Sequence, residues 1–209
     1  TWSNDWVSDE CSEAIYLRDD NAGNIWSITP KPIRDSGEYL IEHGFGYSNF
    51  KHEVFGIMGE VTMFVPMEHN VKLCKIKLKN NSDIARDISV TYYAELVMGV
   101  VPQHTAQHIV TYINEEQGYM YATNCYNQHF GKLKSYLKLF GGHEQSFTGD
   151  RSEFLGRGGS VENPEVLKRI RLSNNVGAGL DPCLAVTSKI HLEPNMEIEL
   201  IAIDRKSVV

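Results

Sequence analysis

The segment Ser146 to Ser160 reads Ser-Phe-Thr-Gly-Asp-Arg-Ser-Glu-Phe-Leu-Gly-Arg-Gly-Gly-Ser and concentrates groups able to do chemistry. Asp150 and Glu153 supply carboxylates, Arg151 and Arg157 guanidinium forks, and Phe154 a ring. Gly149, Gly156, Gly158 and Gly159 permit positive φ and close backbone approach, which marks a shaped loop. Asp150 and Glu153 could form an acid/base pair of the glycosidase kind. Such pairs come from separate elements facing across a cleft, so two carboxylates on one short segment read better as charge partners for Arg151 and Arg157. Gly156 to Ser160 could cradle an anion through backbone N–H groups, but it lacks the spacing and lysine of a phosphate-binding loop. The plain alternative is a long irregular connection whose charges pair internally.

Other candidates are weaker. None of the eight histidines has metal-binding spacing on a helix, and no metal site or cofactor is expected. His104 and His108 are four apart, but in a stretch that reads as a loop entering a strand. No Gly-x-Ser-x-Gly elbow is present for a serine nucleophile. Trp26 and Tyr47, with Trp2 and Trp6, could stack on sugar rings, although Trp26 lies in a strand pattern where a core role is equally ordinary. Cys11, Cys74, Cys125 and Cys183 are scattered without a Cys-x-x-Cys, which reads as free thiols in a reducing compartment. Cytoplasm is the expected location.

The elements that must position these groups are strands. With 42% hydrophobic and 22% charged residues, 209 residues can bury a real core as one large domain. The formal charge of −7 and the lack of a basic stripe argue against nucleic acid, and no apolar run is long enough for a membrane span. Glu13 to Arg18 and Asn24 to Ile28 read as a hairpin, ended by Thr29-Pro30-Lys31-Pro32. Tyr39 to Glu42, His52 to Ile57 and Glu60 to Val65 follow, punctuated by Gly44, Gly46 and Gly59. Cys74, Ile76 and Leu78 alternate with Lys75, Lys77 and Lys79, while Val71 and Leu73 take the opposite parity, predicting a bulge near Cys74. Ile88, Val90, Tyr92, Ala94, Leu96 and Met98 hold a strict period of two against Asp87, Ser89, Thr91 and Glu95. Gly99 to Gln107 reads as loop. His108 to Asn114 and Tyr119 to Asn124 form another hairpin, Leu133 to Phe140 a strand, and Asn163-Pro164 the start of a short helix to Arg169. Leu184 to Leu192 and Met196 to Ala202 close the chain. The whole predicts an all-β, antiparallel sandwich with very little helix.

Several stretches resemble the N-terminal β-sandwich domain of glycoside hydrolase family 94, formerly glycosyltransferase family 36. The similarity is to the branch of cyclic β-1,2-glucan synthases and 1,2-β-oligoglucan phosphorylases. It is carried by Trp2-Ser3-Asn4-Asp5, Glu13 to Asp19, Trp26 to Pro30, His43 to Ser48 and Ser89 to Tyr93. The more specific motifs are Thr148 to Arg157 and Gly177-Ala178-Gly179-Leu180-Asp181-Pro182-Cys183. The resemblance implies a galactose-mutarotase-like β-supersandwich preceding an (α/α)₆ barrel that holds the catalytic acid and phosphate pocket of an inverting phosphorylase. Residues 1–209 are then expected to be one non-catalytic sandwich domain, beginning partway into the family pattern and lacking the barrel. Asp204 to Val209 depart from the apolar strand continuation that the pattern leads one to expect.

On this reading the expected partners are a β-glucan oligosaccharide, the barrel and a second subunit of a homodimer. The expected carbohydrate or inter-domain contacts are Asp150, Arg151, Glu153, Phe154, Arg157, Trp26 and Tyr47, with no catalytic residue. Two other classes stay open: a free-standing carbohydrate-binding module, and an aldose-1-epimerase-like enzyme using His104, His108 and Glu95.

Overall fold

The computed structural model describes residues 11–126 and 131–208, with side chains through residue 204. Trp2, Trp6 and the Trp2 to Asp5 motif lie outside the described residues. Thirteen strands form two antiparallel sheets among these residues. The smaller sheet contains β1 (Glu13–Asp19), β2 (Ile25–Ser27), β7 (Arg86–Glu95), β11 (His143–Asp150) and β12 (Pro182–Leu192), in the order β11-β12-β7-β1-β2. The larger has β3 (Tyr39–Gly44), β4 (Tyr47–Val54), β5 (Ile57–Phe64), β6 (Val71–Asn80), β8 (Val110–Asn114), β9 (Tyr119–Thr123), β10 (Leu133–Phe140) and β13 (Glu197–Val208). Its order is β3-β4-β5-β6-β13-β10-β9-β8. The expected all-β sandwich is therefore present.

Alternating apolar residues dictate how the sheets meet. Leu17, Val90, Tyr92 and Val186 of the smaller sheet share a core with Val61, Ile76, Leu137 and Leu200 of the larger. The alternation in β6 is as expected, with Cys74, Ile76 and Leu78 buried between partly exposed lysines. Its predicted bulge is absent. Cys74 pairs with Met63 on one side and Ala202 on the other in unbroken register. Lys72, not a displaced apolar residue, occupies the next inward position.

Turn positions needed correction as well. The run His52 to Ile57 is split by Phe55-Gly56, at φ of 55° and 76°, a two-residue loop with the left-handed backbone that matches strand twist. Gly59 lies inside β5, where an added Cβ would meet Ile28 at 2.7 Å, so it admits a neighbour instead of ending a strand. Gly99 to Gln107 is not all loop: Pro102–Thr105 forms a short helix (α1), begun by proline and followed by a 3₁₀ turn at Ala106–His108.

A second apolar cluster covers the outer face of the smaller sheet. A five-residue helix, Arg151–Leu155 (α2), and a 3₁₀ turn, Glu165–Lys168, bring Phe154, Leu155, Val166 and Leu167 onto Tyr16, Tyr93 and Ala185. That layer explains why β7 is buried from Ile88 through Ala94 without alternation. The buried hydroxyls of Thr91 and Thr187 bond each other at 2.7 Å, and Ser89 donates to Asp20 at 2.7 Å. The Asn163-Pro164 helix start is corrected too: Pro164 precedes the 3₁₀ turn with an extended ψ of 131°, and no side chain caps it.

Candidate functional site

Only the last third of the Ser146 to Ser160 segment, 156–160, is irregular. Ser146 to Asp150 belong to β11, whose register against β12 shifts between His143 and Ser146 and again between Thr148 and Asp150. The second shift turns the chain from the sheet into α2. Asp150 caps that helix, its Oδ1 accepting from the Ser152 backbone N–H at 2.9 Å and the Ser152 hydroxyl at 2.8 Å. Its other oxygen accepts from Asn175 Nδ2 at 3.3 Å.

Glu153 gathers the neighbouring loops. It accepts from the Thr148 hydroxyl at 2.6 Å and the Ser173 hydroxyl at 2.7 Å, with Arg169 at 3.9 Å. Arg151 reaches Asp181 at 3.2 Å and Glu95 at 3.8 Å. The carboxylates are thus not the internal partners of Arg151 and Arg157 that their spacing implied. Both carboxylates instead hold the same distant loop, Asp150 through Asn175 and Glu153 through Ser173, which its distance along the chain concealed. Arg157 is exposed and makes no hydrogen bond or ion pair to the described residues.

Three aromatic candidates have distinct placements. Phe154 is fully buried, stacked on Tyr93 at 4.4 Å between ring centroids and tilted against Tyr16 at 5.9 Å. Trp26 is buried in the main core, edge-on to Phe55 at 5.6 Å. Neither offers a ring face to solvent, whereas Tyr47 at the start of β4 is 46% exposed. His108 stacks on Tyr126 at 4.0 Å while Glu95 faces Arg151, so their observed partners belong to different surroundings. Among the described residues, no three His, Cys, Asp or Glu side chains are grouped to hold a metal.

A further constellation was not anticipated. Toward one pole of the sandwich the inward columns of four strands pass from apolar to polar residues: Glu13 of β1, Lys72 of β6, Ser135 of β10 (with Leu133 one step beyond it) and Asp204 of β13. Lys72 and Asp204 are register partners, one step beyond Cys74 and Ala202. Lys72 Nζ donates to Glu13 Oε2, which also faces the Tyr92 hydroxyl at 3.4 Å. These groups line a cleft of about 440 Å³, walled by the backbone that leaves β7 at Leu96 to Val100. Burial, then the Glu13 charge, pushes the Asp204 carboxyl up to about 6, with Lys72 opposing. Burial disfavours the Lys72 ammonium, but Glu13 outweighs it and holds lysine above its ordinary value. Met98 in the wall is buried with a φ of 42°, a costly backbone for a side chain of that size. The one signal in the sequence was negative: apolar periodicity stopped at Lys72 and Asp204.

Comparison with known proteins places this architecture. The family model described as glycosyl hydrolase 94, supersandwich domain, matches residues 1–204. An N,N'-diacetylchitobiose phosphorylase of Vibrio furnissii is 26% identical over 204 residues, covering 95% of this chain and 26% of that protein. The cyclic beta-(1,2)-glucan synthase NdvB of Rhizobium meliloti (strain 1021) is 30% identical over 200 residues, covering 94% of this chain and 7% of that protein. The chain therefore spans about a quarter or less of these relatives' length. A bacterial glucoamylase complexed with acarbose shares the fold at a TM-score of 0.55 and 10% identity, over 92% of this chain and 26% of its own. No helix among the described residues is long and apolar enough to cross a membrane. The sandwich, its covering layer and the match along nearly the whole sequence have one meaning: the chain belongs to the supersandwich-domain family of glycosyl hydrolase 94.

Proposed function

We propose that residues 1–209 form the non-catalytic supersandwich domain of a β-glucan-active phosphorylase or cyclic glucan synthase. The domain contributes carbohydrate contact and organises the dimer and the active site of an adjoining (α/α)₆ barrel. The observation that carries this reading is the division of labour in the Thr148 to Arg157 motif. Asp150, Glu153 and Phe154 are committed to shaping the loop, and the shaped loop presents Arg157 without a partner among the described residues. Arg151, 36% exposed beyond its ion pairs, stands at the other end of α2. Guanidinium forks suit bidentate contact with a carboxylate or with paired hydroxyls. That the relatives are phosphorylases and a glucan synthase supports the assignment to a glycan-active parent.

A free-standing carbohydrate-binding module is the second reading. The feature favouring it is a cross-strand row of Tyr112, Tyr121 and Tyr136 on the larger sheet, the first two stacked at 4.8 Å. The two readings diverge in one experiment. Arg157→Ala, made in the full-length enzyme, should lower kcat/KM or weaken dimerisation by about tenfold or more, while the 209-residue chain melts unchanged. Kinetics and sedimentation both identical to the parent would remove the contact role.

A further inference from the structure

We propose that the cleft lined by Glu13, Lys72, Ser135 and Asp204 is a binding site for a neutral pyranose unit of an oligosaccharide. The ligand class rests on the glycan-active parent proposed above; the site itself rests on the cleft. A pole where four inward columns change from apolar to polar is not the ordinary end of a sandwich core. Its groups are charged or hydroxylic, yet Glu13 and Lys72 keep most of their side chains out of water, at 26% and 31% exposure. The volume of about 440 Å³ lies within the roughly 300–1,000 Å³ of small-molecule sites.

Charge complementarity selects the ligand. Lys72 is paired with Glu13, Arg151 faces Glu95 at 3.8 Å, and the Asp204 carboxyl is protonated below about pH 6, so in that range the cleft has little net charge with which to hold either phosphate or a cation. What remains is a compact set of donors and acceptors. Lys72 donates, Glu13 accepts, and Ser135 does both. Asp204, whose carboxyl burial keeps protonated up to about pH 6, adds a donor and an acceptor below that point. Closely spaced donors and acceptors match neighbouring sugar hydroxyls. The lining also contains Val65, Leu96 and Val100, apolar groups suited to the C–H face of a pyranose.

The test uses the 209-residue chain with glucose and the β-1,2-linked glucose disaccharide, followed by saturation-transfer NMR and calorimetry at pH 5.5. Saturable binding is expected, weakened about tenfold or more by Lys72→Met. Asp204→Asn should keep binding at pH 5.5, because the amide also offers a donor and an acceptor, whereas Asp204→Ala should lose it. Val100 is 83% exposed, so Val100→Trp narrows the mouth without entering the core and serves if Lys72→Met fails to fold. No saturation by either sugar, or affinity untouched by Val100→Trp and Asp204→Ala together, would overturn the proposal. So would tighter binding of inorganic phosphate or glucosamine than of glucose. Failure here leaves the Arg157 result in the full-length enzyme standing, and failure there leaves this cleft standing.

Discussion

Replacing Asp204 by asparagine should change how stability responds to pH more than how large it is. Burial and the neighbouring Glu13 raise the folded carboxyl from the ordinary 3.8 to about 6. The native chain therefore holds this proton more tightly than the unfolded chain. Its contribution is complete below about pH 4 and is lost as pH rises toward about 6; beyond that it stays lost. A gap of roughly two pKa units corresponds to ~3 kcal/mol. Asparagine has nearly the same shape and never ionises, so the variant lacks this slope. Urea unfolding at pH 4, 5, 6 and 7 measures both proteins. The stability difference between them should move by up to about 3 kcal/mol in favour of the variant between pH 4 and pH 7. Asp35, Asp87 and Glu162 have lowered values and contribute the opposite slope at lower pH, but they are common to both proteins and cancel in the difference. Parallel curves across the four pH values would refute the placement of Asp204 between Glu13 and the core.

Phe154→Ala should cost about 3–5 kcal/mol, read from denaturant midpoints, because the ring is fully buried between Tyr93 and Tyr16. Gly149→Ala should cost about 1–3 kcal/mol by the same measurement, since a new Cβ would lie 2.2 Å from Thr111 Oγ1, which accepts from the Gly177 N–H. Glu153→Ala removes the acceptor shared by Thr148 and Ser173 and should lower stability by about 1–3 kcal/mol, with faster amide exchange at Ser173.

Much of the architecture was legible before any coordinates. Period-two patterns located β6, β7, β12 and β13, because a strand between core and solvent must alternate, and turn residues located most hairpins. Asp150, Arg151, Glu153, Phe154 and Arg157 were recognisable as one motif, but their separate tasks were not. A linear motif shows which residues are neighbours in the chain, whereas Glu153 meets Ser173 and Arg151 meets Asp181 only after the loops fold back.

The sequence by itself determined the class of fold and the family, since both depend on local alternation and on motif identity. Only the tertiary structure decided what happens where alternation fails. In β7 and β12 the polar parity is buried because a small helix and a 3₁₀ turn cover that face. At Lys72 the failure is not a bulge, and at Asp204 the strand continues. Both residues still point inward, where register brings them together and Glu13 meets them from the other sheet. Their chemistry arises from shared burial between strands far apart in the chain, a property that no stretch of either strand contains alone.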